Sequence, residues 1–228
     1  MIRPVAPFTR RRLLALSAVA MAAPSLARAS NAAAEISIDA SNAPQLAAWV
    51  AALKPMMRRW WPVITAALAS PGYEAPDRIN VLFRDFHQSN VGSATEGDTI
   101  YVNLPDIQAH PDDFGRVAHE MVHIAQAYPE PNIEWLTEGI ADYLRYYVLL
   151  PDDTRRAFDP HRSTYQRGYQ PAAALLDWVE RTHGAGSVRR INAAMRGGGD
   201  GEAELLKITG ATPFTLWRSY LKSLPVSS

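Results

Sequence analysis

The sequence predicts an α+β fold, with a small mixed β-sheet packed on one helix and a mainly helical C-terminal lobe after it. Three observations carry this. Segments that alternate apolar and polar residues all lie before residue 104. From Asp112 onward, apolar residues recur at steps of three and four. No low-complexity linker interrupts the chain after residue 35, so residues 30–228 read as one domain.

The first 29 residues stand apart. They carry Arg3, Arg10, Arg11, Arg12 and Arg28 and no acid. Thr9-Arg10-Arg11-Arg12-Leu13-Leu14 fits a twin-arginine export pattern, with an ordinary Sec signal as the alternative. The apolar run Leu13 to Ala23 is too short to stay in a bilayer as a spanning helix. Ala27-Arg28-Ala29 supplies a cleavage site, which predicts a mature chain beginning at Ser30 and an exported, periplasmic or secreted location. Without the five leader arginines, 18 basic residues face 23 acidic ones, so the mature chain offers no electrostatic footprint for nucleic acid. It holds no second span for a membrane.

Glu35 to Asp39 alternates as a short strand. Asn42 to about Ser70 reads as helix interrupted by Pro55 and Pro62, with Trp49, Met56, Trp60 and Ile64 as its core stripe. Ile79 to Phe86 and Thr99 to Asn103 are strands, and Val91 to Ala94 is a weaker edge-strand candidate. Helices are expected over about 112–127, 132–148, 170–184, 187–196 and 202–223, the last split by Gly210.

The chain has no cysteine, so any metal must rest on histidine and carboxylate ligands. His119-Glu120-Met121-Val122-His123 is an H-E-x-x-H sequence. Residues four apart share a helix face, so both imidazoles can reach one zinc ion while Glu120 projects beside them. Phe114, Val117, Met121, Ile124 and Tyr128 form an apolar stripe, and the two histidines point away from it. A zinc hydrolase needs a third protein ligand, and the next helix offers one. Ile133, Leu136, Ile140, Leu144 and Tyr147 form its core stripe, with Glu138 and Asp142 opposite. Tyr128-Pro-Glu-Pro-Asn132 breaks the chain so that this helix can fold back on the first. Glu138 is then the third ligand, and Asp142 accepts the free ring N–H of a zinc histidine. Glu130 and Glu134, in or near the turn, are weaker ligand candidates. His87, His110, His161 and His183 read as structural or solvated. Gln126 and Pro129 stand where a metzincin would have glycine and histidine, which excludes that class.

HEMVHIAQAY, EWLTEGIADYLRYY and RGYQPAAALLDW together resemble the plant and bacterial basic secretory protein family of zinc metallopeptidases, from about residue 79 to the last helix. The Glu138 and Asp142 spacing is similar to that of gluzincins. The resemblance implies a zincin-like fold, one Zn2+ per chain, and a peptide or protein substrate. It implies that Gly92, Ser93 and Ala94 pair with substrate backbone by strand addition. It also places Tyr169 as a donor to the oxyanion, with Tyr165 as the alternative tyrosine. The expected chemistry is hydrolysis of peptide bonds by zinc-activated water, with Glu120 as general base. An amidase acting on cell-wall peptides and a metal-binding relative without turnover are the other readings.

Overall fold

Ile36, Ile79, Val81, Phe83, Ile100 and Val102 are all buried, and within each strand they sit two residues apart, so one face of a sheet is apolar. The computed structural model describes residues 34–86, 91–129 and 131–225. The leader, His87 and Glu130 lie outside the described residues.

The strands are β1 (Glu35–Asp39), β2 (Arg78–Arg84), β3 (Ser93–Glu96) and β4 (Thr99–Asn103). Their spatial order is β1-β2-β4-β3. β1, β2 and β4 run parallel, and β3 returns antiparallel on β4, so the sheet is mixed. The parallel pair β1 and β2 needs a long crossover, which α1 (Ala47–Ala67) supplies. β3 starts two residues later than the sequence suggested and lies at the sheet edge.

α1 runs unbroken through Pro55 and Pro62. The two prolines are seven residues apart on the exposed side of the helix. The backbone carbonyls that they leave without a partner therefore open to water, and the helix survives. Its buried stripe is Trp49, Leu53, Met57, Trp60, Trp61 and Ile64. Met57 is fully buried, on the steps of four from Trp49 through Leu53, and Met56 packs against the same core partly buried. Trp49 anchors the sheet side. Its ring stacks on Phe114 at 5.0 Å and meets Phe83 edge-on at 5.9 Å, and its indole N–H donates to Pro111 O.

α2 (Leu104–Ala109) follows β4 directly, where the sequence pattern indicates no helix. α3 (Gly115–Gln126) carries the H-E-x-x-H residues, and α4 (Glu134–Tyr143) folds back beside it. Beyond Tyr143 the chain continues as a π-helical segment, Leu144–Leu149. The C-terminal lobe is α5 (Tyr169–His183), α6 (Ser187–Arg196), α7 (Gly201–Thr209) and α8 (Pro213–Ser223). α7 and α8 part at Gly210, as the sequence indicates. The described residues therefore form an α+β fold with eight α-helices and one small mixed sheet.

Two contacts join these layers around the site. Gly139 lets α4 approach α5 closely, since a Cβ there would stand 2.6 Å from Ala172 Cβ. Arg196, at the end of α6, binds two helix ends at once. Its guanidinium donates to Ala125 O and Gln126 O at the end of α3, and to Leu68 O just past α1. A cation at two helix C-termini also meets the negative end of both dipoles.

Candidate metal centre

α3 is buried on nearly every side, including its polar side. Val117, Met121 and Ile124 face the core, as their spacing requires. His119 and Glu120 are buried as well, because β3 lies over Glu120 and α4 lies over His119. Buried polar groups must find partners, and these do.

His119 Nε2 lies 3.0 Å from His123 Nε2 and 3.1 Å from Glu138 Oε2. His123 Nε2 is 3.6 Å from the same oxygen. Each outer ring nitrogen has its own partner. Asp142 Oδ1 is 2.8 Å from His119 Nδ1, and Gln126 Oε1 is 2.8 Å from His123 Nδ1. Gln126 is held in turn by donating to Thr137 O. With both Nδ1 atoms directed at oxygen acceptors, both Nε2 atoms are left to face Glu138. His119, His123 and Glu138 form a group able to hold a metal ion, with one atom of each within 4.8 Å of the others. Ligand atoms at zinc–ligand distances stand about 3.3 Å apart on a tetrahedron, so the three atoms here are spaced for such an ion.

The charge balance fits a cation. Burial lowers the His119 pKa, but hydrogen bonds to Asp142 and Glu138 outweigh it and raise the value to about 10. Burial also pushes the Glu138 carboxyl up, and the bonds to His119 and His123 outweigh that and hold it far below the ordinary range. Two carboxylates thus favour positive charge at this point, whether a proton or a metal supplies it.

A model of a family described as peptidases of plants and bacteria matches residues 99–220. The chain belongs to that family. It is the family that the sequence resembles. The match begins at Thr99, not near residue 79, so β2 and β3 fall outside it. No curated protein matches the chain. The family description gives peptide hydrolysis as the family's activity. In this chain the remaining residues surround a cleft of about 800 Å³.

Ser93, Thr95, Glu120 and Tyr169 line this cleft beside the three metal-group residues. Both oxygens of Glu120 accept hydrogen bonds, from Ser93 Oγ at 2.8 Å and Thr95 Oγ1 at 2.6 Å. Gly92 precedes β3, and its carbonyl accepts from Asn103 N within the sheet. Ala94 is exposed on the edge strand and, with Gly92, lines the same cleft. Tyr169 opens α5 with φ +48°, after Gly168 at φ +70°. A Cβ on Gly168 would stand 3.0 Å from Glu138 Cβ, so glycine lets the chain pass close to Glu138. This turn lays the Tyr169 ring parallel to His119 with centroids 6.0 Å apart. Burial, then the charges of Glu138 and Asp142, raise the Tyr169 pKa, which keeps the phenol protonated. Tyr165 packs elsewhere, edge-on to Trp135 and near Trp217.

The far wall of the cleft is ionic. Arg116 pairs with Asp106 and Asp113, and Arg145 donates to Asp113 Oδ1 at 2.7 Å. His110 bonds Asp106 on the exposed end of α2, while His161 and His183 do not line the cleft. Sequence reasoning missed Gln126 and Thr95. Gln126 lies three residues after His123, a spacing that signals a shared helix face. Thr95 lies two residues after Ser93, which in a strand means the same side.

Proposed function

We propose that the chain hydrolyses peptide bonds with one zinc ion held by His119, His123 and Glu138. The convergence of those three ligand atoms, with both outer ring nitrogens already bonded, is the observation that supports it most. Neutral imidazoles and one carboxylate are a donor set suited to zinc, and three protein ligands leave a position for substrate or water. When bound, the ion supplies Lewis acidity, which acidifies water and polarises a carbonyl.

The chain's own residues do the rest. Asp142 and Gln126 fix the tautomers of the two histidines. Glu120 takes a proton from the attacking water and returns it to the leaving amine. Tyr169 donates its O–H to the carbonyl oxygen as negative charge develops there. The outer edge of β3 takes the substrate backbone. Residues 1–29 direct export and are removed after Ala29, which N-terminal sequencing of exported material would check. Among the described residues no helix is long and apolar enough to cross a membrane.

The test is metal content and hydrolysis of a peptide library, with and without chelator. Zinc near one ion per chain and chelator-sensitive cleavage are expected, and His123→Ala should lose both. Cleavage that persists in metal-free protein would refute the proposal.

A further inference from the structure

We propose that Ser93 and Thr95 are positioning residues that fix the carboxylate of Glu120, so that one edge strand sets both the base and the substrate register. The inference rests on the reading of Glu120 as general base and adds to it. β3 alternates half-buried and exposed residues, with Ser93 and Thr95 on the inner side and Ala94 and Glu96 on the outer. The inner pair lies over α3. Ser93 Oγ holds one carboxylate oxygen of Glu120 and Thr95 Oγ1 holds the other. Thr95 Oγ1 also lies 3.2 Å from the Glu120 backbone carbonyl, so it spans side chain and helix.

A carboxylate held at one oxygen can still rotate about its last bond. Held at both oxygens from one rigid strand, it cannot. Each oxygen keeps a further lone pair, so the group can still accept a proton. The same strand is the sheet edge, and among the described residues no strand pairs with its outer edge. A peptide added there would take its register from β3. The distance from scissile bond to base would then be built into four residues. Gly92, Ser93 and Ala94 therefore divide their work, with the Ser93 side chain turned toward the base.

The test uses full-length, metal-loaded protein with Ser93→Ala, Thr95→Val, the double variant, Thr95→Ser and Glu120→Gln. Each single loss should lower kcat on the order of tenfold, and the double variant on the order of a hundredfold, the scale for a misplaced reacting group. KM, metal content and Tm should stay close to wild type, and Thr95→Ser should restore kcat. A crystal structure of the double variant should show the Glu120 carboxylate turned from its wild-type position. Unchanged kcat in the double variant, with Glu120→Gln inactive, would overturn the proposal. So would a rise in KM alone, which would mark the hydroxyls as substrate contacts. A fall in kcat that tracks metal loss, or a Thr95→Ser variant as slow as Thr95→Val, would overturn it too. Full activity in Glu120→Gln would instead remove the base reading beneath it.

Discussion

The two sides of the cleft are built differently. On the metal side, His119 and Asp142 are buried and His123 and Glu138 half-buried, and the polar contacts run between neighbouring helices or within one. On the side proposed for substrate, Ser93 and Thr95 are half-buried, and Tyr169 is 49% exposed on a left-handed backbone. Helix against helix gives a geometry that cannot relax, which a metal site needs. An edge strand and a turn leave room for a chain to enter. On the proposed reading, the difference separates what is fixed before substrate arrives from what stays open to it.

Variants can break this division. The largest effect is expected from Glu120→Gln, which stands between the two sides. It should keep its metal and lose turnover by about 10²–10⁴-fold, because an amide cannot accept the proton. Retained turnover would mean that the base lies elsewhere. Tyr169→Phe should lower kcat on the order of a hundredfold with KM and metal content little changed, the scale for one oxyanion donor. Tyr165→Phe should have little effect on kcat, since that ring packs on Trp135 away from the cleft. If the two reverse, the substrate side has been assigned to the wrong residue.

Asp142→Asn should leave substrate handling alone and weaken metal affinity by about 10–100-fold, read by competition with a chelator. Gln126→Leu should do less, because it removes a neutral acceptor. Equal losses in KM would blur the two sides.

The smallest effect is on stability in metal-free protein. The His119 pKa rises from an ordinary 6.5 to about 10 on folding. The folded state then keeps a proton that the unfolded state releases, so this contribution is complete below pH 6.5 and lost as pH rises through about 10. Metal-free protein should lose thermal stability across that window, and zinc-loaded protein should lose less, because the metal replaces the proton. Parallel curves would show that the metal does not bind at His119.

The metal side was the more legible in sequence. Stripes such as Val117-Met121-Ile124 and Leu136-Ile140-Leu144 fix which way a helix turns, and so fix the direction of His119, His123, Glu138 and Asp142. The substrate side gave weaker signals. Gly92-Ser93-Ala94-Thr95 has no large apolar residue to set its register, so the strand was placed two residues early. α2 has only six residues, too few to show a helical period. The π-helical turns after Tyr143 leave no mark in a pattern read at 3.6 residues per turn. Pro55 and Pro62 misled because a proline weakens a helix without vetoing it: both lie on the exposed face, and the buried stripe from Trp49 to Ile64 keeps α1 whole.

Arg196 bears on the order in which the molecule is completed. Every proposed ligand, the base and Tyr169 have been synthesised by residue 169, yet the last two carbonyls of α3 are taken up only by a side chain 70 residues past Gln126. A nascent or shortened chain ending in α5 would carry every proposed group on a helix whose last two carbonyls still lack that donor. Competence to hold an ion should therefore arrive late in synthesis, with α6, rather than with the motif itself.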